Sequence, residues 1–453
     1  MEKYLLHYAE SETAALAGLP DGLSEPGQWQ NVMVIPACNE SADFLRPPPP
    51  CDGRSLLILV INETGSVSHE VSLNNQALAE AVFARFELRW QSGRQFPGFA
   101  MSLFRDPLFP RDVLLVDRFS ETCKLPDKGG VGHARKIGVD LATSLIHRRL
   151  INSSWIHCTD SDVQLPETYF TCCNMSQNND LKDAALIYPF HHSDVQEQEK
   201  SREVILATRL YELSLRYYVA GLRFAGSPYA FHTIGSTMAV SAVHYARVRG
   251  FPKRAAGEDF YLLNKLAKVG SVLELTPGAD CKAIEIESRR SDRVPFGTGA
   301  AVNKITGLAD PIKDFRFYHP VVFELLQLWL QSLTTIWKSG SSDLNESIFA
   351  LKAGDPDQGR KRQALLDGLM KIKTGQALEH AFRQGKNPQQ FARQMHTWFD
   401  AFRTLKLIHE LRDFHQPNIS YATLEANSSY RHLLACDAEL SAFVAGLPFA
   451  SVE

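Results

Sequence analysis

Continuous apolar runs, each closed by a polar cluster, set the rhythm of the first three hundred residues. Residues 32–35, 55–61 and 113–116 are such runs, 155–158 is a fourth, and 184–189 and 272–275 follow. Apolarity that does not alternate marks strands covered on both faces, as in a parallel sheet. Between the runs lie stretches with helical spacing: 74–86, the stripe Ala134, Ile137, Leu141 and Leu145, the long segment 197–222, and Phe260, Leu263, Leu266 and Ala267. Pro36 is expected to end the first strand, because it cannot donate to a ladder, and the prolines at 47–50 require a loop. Strand and helix in alternation, with polar residues gathered at strand ends, predict a doubly wound α/β domain. From about Asp310 only helical patterns remain, at 318–338, 360–373, 389–412 and 421–444. In the third of these Phe391, Met395, Trp398, Phe402, Leu405 and Ile408 share one face. The expected division is a lead-in at 1–30, an α/β domain at 31–309 and a helical region at 310–453.

Candidate chemistry sits at the ends of these elements. The turn after the first strand, Pro36-Ala37-Cys38-Asn39-Glu40, lies where open α/β sheets bind ligands. The fourth run stops in Asp160-Ser161-Asp162. Residues i and i+2 of an extended end point the same way, so the two carboxylates either converge on one divalent cation or stand solvated in a turn. The glycine-rich stretch through Gly132 opens a helix whose backbone N–H groups suit an anion, with Arg135 and Lys136 as added donors. A flexible helix entry is the plainer reading. Gly235-Ser236-Thr237 offers small residues for close substrate approach, or a tight bend. Glu258-Asp259 after Gly257 favours a helix start through the macrodipole, and equally supplies a rigid general base. Arg289, Arg290 and Arg293 suit a diphosphate or an acidic acceptor, or form surface ion pairs. The histidines at 191–192 lack a matching carboxylate spacing and read as polar loop residues.

Composition removes several classes. With 44% hydrophobic residues, 22% charged residues and a net charge of -3, the chain is neither disordered nor suited to a nucleic-acid groove. Its eight cysteines are scattered without a C-x-x-C array, which fits reduced thiols in a cytoplasmic protein. The most lipid-like segment, 321–337, is interrupted by Glu324, Gln327 and Gln331 and reads as a buried helix. Neither a signal peptide nor a spanning helix is expected.

The order of these motifs resembles a nucleotide-sugar glycosyltransferase of the GT-A fold, close to the family 2 type. The likeness rests on Ile35-Pro-Ala-Cys-Asn39-Glu40, Gly132-His-Ala-Arg135-Lys136-Ile-Gly138, Asp160-Ser-Asp162 and Gly257-Glu258-Asp259, and covers roughly residues 30 to 300. It implies a GT-A type doubly wound mixed sheet followed by an all-helical C-terminal region. It further implies that Pro36, Ala37, Asn39, Glu40, Gly132, Arg135, Lys136 and Asp160 bind the nucleotide sugar. Asp160 and Asp162 would hold Mn2+ or Mg2+ on the diphosphate, with Asp259 as the base beside Glu258. Gly235, Ser236, Arg290 and Arg293 would face the hydroxyl acceptor. After the second strand the family commonly carries an acidic step that reads the base; here Asn62-Glu63 stands in its place. The alternatives are a sugar-phosphate pyrophosphorylase, whose glycine-rich signature after the first strand is missing, and a non-catalytic nucleotide-binding scaffold.

Overall fold

The computed structural model describes residues 1–93, 96, 98–173, 182–193, 202–291, 297–349 and 356–449. The chain divides into two compact units, Met1–Glu199 with Thr233–Ala300, and Lys200–His232 with Ala301–Glu453. The division is not linear. The long helix expected near 197–222 groups with the C-terminal helices, an excursion that the sequence boundaries 31–309 and 310–453 do not contain.

The first unit is a mixed α/β structure. Its strands are β1 (Asn31–Ala37), β2 (Ser55–Asn62), β3 (Glu87–Gln91), β4 (Ala100–Arg105), β5 (Arg111–Arg118), β6 (Trp155–Cys158), β7 (Val163–Gln164), β8 (Asp183–Ile187), β9 (Phe190–Ser193), β10 (Met238–Ser241), β11 (Ser271–Glu274) and β12 (Ile284–Glu287). Among the described residues nine of them form one sheet in the order β11-β8-β10-β6-β1-β2-β5-β4-β3, and β7-β12-β9 form a small second sheet. Helices α1 (Glu2–His7), α2 (His69–Arg85) and α3 (Gly130–His147) precede α4 (Arg202–Phe224) of the second unit; α5 (Ala242–Arg247) and α6 (Glu258–Leu266) return to the first.

β1 is parallel to both β2 and β6, so the ends of all three open on one edge of the sheet. β1 is also where the strand order reverses, and a crevice opens beyond the carboxyl ends at such a point. β10 runs antiparallel to β6 with Met238 opposite Cys158, so the residues before β10 arrive at this same edge. Helix α3 lies flat on β1 and β2: a Cβ on Gly138 would enter the Val34 side chain. Pro36 does not end β1, which runs through Ala37. The pairing of β1 with β6 stops at Val34, so at Pro36 the strand has a ladder partner on the β2 side only, and the missing N–H is tolerated.

Several strands carry no continuous apolar run. β3 is largely exposed, β9 covers the expected histidine loop, and β12 is a four-residue Ile-Glu-Ile-Glu alternation inside what reads as polar sequence. In the second unit, Val321–Ser339 is a helix with Phe323, Leu326, Trp329 and Ile336 in the core. The segment expected as one helix over 389–412 is two, Pro388–Trp398 and Ala401–Phe414. Asp400 causes the break, its carboxylate accepting from the Arg403 N–H as an N-cap. The break turns the face: Phe391, Met395 and Ile408 are buried, while Phe402 is exposed. Among the described residues no helix is long and apolar enough to cross a membrane, and none of the eight cysteines forms a disulfide.

Candidate functional site

Two arginines organise the carboxyl edge. Arg135, one turn into α3, is buried with 3% of its side chain exposed. Its Nε donates to Glu258 Oε1 at 3.1 Å, Nη1 to the Gly235 carbonyl at 2.6 Å and Nη2 to Asp160 Oδ1 at 2.9 Å. One planar group thus ties together the end of β6, the loop before β10 and the start of α6. Burial alone would weaken the guanidinium's hold on its proton, but Asp160 and Glu258 outweigh it and keep the group more basic than usual. Gly235 is dictated by this contact, since a Cβ there would lie 2.9 Å from Arg135 Nη2.

Arg289, two residues past β12, is the second clamp. It grips Glu40 in a fork, Nη2 to Oε1 at 2.8 Å and Nη1 to Oε2 at 3.3 Å, and Nη2 also donates to Asp162 Oδ2 at 2.7 Å. Despite burial, its partners Glu40 and Asp162 hold it above the ordinary guanidinium range. β12 aims it: Glu287 N–H donates to the Asp162 carbonyl, placing the chain after β12 beside the Asp160-Asp162 turn. Sequence reasoning grouped it with Arg290 and Arg293 but gave the acceptor role to those two alone. Arg290 is exposed, and Arg293 lies outside the described residues. No period gave this away: the Ile284/Ile286 alternation, carried on, would put Arg290 and not Arg289 on the buried face.

Glu258 is buried against Arg135, and Asp259 beside it is half-buried. Gly257 caps the helix with φ of 71°, a left-handed turn that delivers both carboxylates. Burial, and then the charge of Glu258, pushes the Asp259 carboxyl up to about 7.

Other expected residues are placed differently. Gly132 does not present a free N–H to an anion: the N–H donates to the Arg254 carbonyl, and a Cβ would lie 2.6 Å from that oxygen and 2.9 Å from Glu258 Cβ. Its role is to let α3 pack on the 252–258 loop. Lys136 does not serve Asp160 or Asp162; its ammonium donates to Asp140, Tyr4 and the Tyr8 carbonyl. Adjacent positions of a helix point about 100° apart, which is why Arg135 and Lys136 serve different clusters. Asn62 is buried and its amide donates to the carbonyls of Ala37 and Val60, tying β1 to β2. Asn39 has φ of 58°, its N–H donating to Asn75 and its side-chain oxygen accepting from Asn74. Ser236 is buried. Glu63, left unassigned by sequence, is buried and meets Lys124, Ser72 and Asn75.

Asp160 and Asp162 keep 33% and 22% of their side chains exposed, each anchored on one side by an arginine. Among the described residues no group of three His, Cys, Asp or Glu side chains is poised as a closed metal cage. Two anchored, partly exposed carboxylates fit a hard divalent cation that takes its remaining ligands from phosphate and water oxygens.

No family model matches the chain, and no curated protein matches it. Among solved structures it is similar to a mannosyltransferase, PcManGT, from Pyrobaculum calidifontis in complex with GDP-Man and Mn2+. The identity is 14% over 98% of this chain and 94% of that one, with a TM-score of 0.32, a likeness too slight to assign fold or activity.

Proposed function

We propose that the chain is a GT-A type glycosyltransferase, family 2-like, that moves a sugar from a nucleoside-diphosphate donor to a hydroxyl acceptor in the cytoplasm. One observation carries the reading. Glu40, Arg135, Asp160, Asp162, Glu258 and Arg289, from five separate stretches of sequence, join in two ion-pair clusters on segments that the strand pairing brings to one edge of the sheet. In this reading the Pro36 to Glu40 turn and Arg135 frame the nucleotide side, and Asp259 lies on the acceptor side.

Departure of a nucleoside diphosphate develops negative charge that must be met by fixed positive groups. Arg135 and Arg289 are such groups, already held by buried or half-buried carboxylates and needing little reorganisation. When bound, Mn2+ or Mg2+ on Asp160 and Asp162 would supply further neutralisation of the diphosphate. Asp259, with its affinity for a proton raised to about 7, is matched to take the proton of an acceptor hydroxyl near neutral pH. Gly235 and Ser236 belong to the acceptor side, together with Arg290.

The test is turnover. With a panel of UDP- and GDP-sugars and manganese, the protein should hydrolyse one donor slowly in the absence of acceptor, releasing sugar and nucleoside diphosphate. Pyrophosphate released from a nucleoside triphosphate and a sugar phosphate, with no donor hydrolysis, would assign the pyrophosphorylase class instead.

A further inference from the structure

A cavity of about 430 Å3 lies at the other side of the first unit, between α1 and α5, lined among others by Lys3, Tyr8, Val243, Ala246, Arg247 and Arg249. Its α5 wall starts at the edge of the sheet opposite the candidate site. β10 enters at the carboxyl edge and leaves at Ser241, opposite Trp155 where β6 begins, so α5 starts at the amino edge of the sheet.

The lining includes three cations and, among the described residues, no carboxylate. A concave wall of one sign focuses potential on its interior. Arg249 is placed there at a conformational cost: its φ is 65°, a left-handed backbone that glycine adopts without strain and arginine does not. Its guanidinium lies 4.7 Å from the centroid of the Tyr8 ring, which fixes the plane of the fork. Behind it Lys265 donates to the carbonyls of Val248 and Gly250. Burial, and then Lys136 and Arg249 near by, lowers its ammonium to about 8. Tyr8 and Val243 are exposed, so an apolar wall stands beside the cations.

We propose that this cavity binds a phosphate-bearing ligand, its phosphate on Lys3, Arg247 and Arg249 and its organic part against Tyr8, Val243 and Ala246. A soluble phosphate ester and a phospholipid headgroup share that chemistry. The inference does not depend on the glycosyltransferase reading.

Arg249→Gly makes the test clean, because it deletes the guanidinium while relieving the left-handed residue, so the fold should be kept or strengthened. Thermal denaturation of the wild type in inorganic phosphate, against chloride at matched ionic strength, should show a rise on the order of 3 °C at a hundredfold excess over the dissociation constant. The rise should vanish in Arg249→Gly combined with Arg247→Ala, while that variant's melting point without phosphate stays within about 2 °C of wild type. Co-sedimentation with phosphatidic acid vesicles, lost in the same variant, would assign the headgroup; a phosphate response without vesicle binding would assign a soluble ester. Absence of both responses in the wild type overturns the proposal. So does a response that the double variant retains, since it would place the phosphate elsewhere, at Arg135 and Arg289 for example.

Discussion

Replacing Asp259 with asparagine should stabilise the protein at alkaline pH while removing turnover. The ordinary aspartate value is 3.8, and burial together with Glu258 pushes this carboxyl up to about 7. The folded state therefore binds a proton more tightly than the unfolded chain. The sign follows: the stabilising contribution is full below about pH 4 and is lost as pH rises through about 7, because the folded state must then hold a half-buried carboxylate beside Glu258. A tenfold change in proton affinity is worth about 1.4 kcal/mol, so the displacement sets a ceiling of about 4 kcal/mol. Partial exposure and sharing with Glu258 bring the expected value to roughly 2 kcal/mol. Asparagine keeps the shape and carries no charge at any pH. Chemical denaturation at pH 5 and pH 8.5 should thus find Asp259→Asn more stable than wild type by roughly 2 kcal/mol at the higher pH, with the gap closing at the lower. Parallel pH profiles for the two proteins would refute the burial argument. In the wild type, turnover should fall below about pH 7 as the base is protonated.

Other substitutions separate the site from its supports. Gly235→Ala puts a methyl 2.9 Å from Arg135 Nη2 and should cost about 1–3 kcal/mol, with weaker donor binding by calorimetry. Lys136→Met leaves Asp140 buried without its ammonium and should cost about 3–5 kcal/mol in denaturant titrations. Donor affinity should be unchanged below its melting point; a loss would restore Lys136 to the donor site. Gly221→Ala drives a methyl to 2.5 Å from the Phe323 ring and should destabilise the helical unit by about 1–3 kcal/mol in thermal melts.

The parts legible in the sequence are those in which burial leaves a one-dimensional trace. β1, β2 and β5 are covered on both faces, so their apolarity is continuous and their parallel neighbours follow. β3 is exposed and β12 is too short for a period to show, so neither was read. At the candidate site, Asp160, Asp162, Arg135 and Glu258 stood out in the sequence because each lies at or near the end of an apolar element. Direction was not legible. Arg135 and Lys136 are equal in sequence and part company only because of helix rotation, and Arg289 is selected over Arg290 beyond the end of β12, where the strand's alternation no longer holds. Asp400 carried a readable N-cap signal, yet the hydrophobic stripe across it favoured one helix over two. The grouping of α4 with the C-terminal helices rests on long-range packing that no local pattern contains.

The central claim is that Asp160 and Asp162, steadied by Arg135 and Arg289, receive the diphosphate of a nucleotide sugar with a divalent cation. Calorimetric titration of UDP- and GDP-sugars into wild type and Asp162→Asn, each with and without manganese, tests it most directly. The account predicts manganese-dependent binding of one donor by the wild type and at least a tenfold loss in the variant, about 1.4 kcal/mol. Binding that ignores manganese and is equal in the two proteins, or no donor binding by the wild type at millimolar concentration, would contradict it.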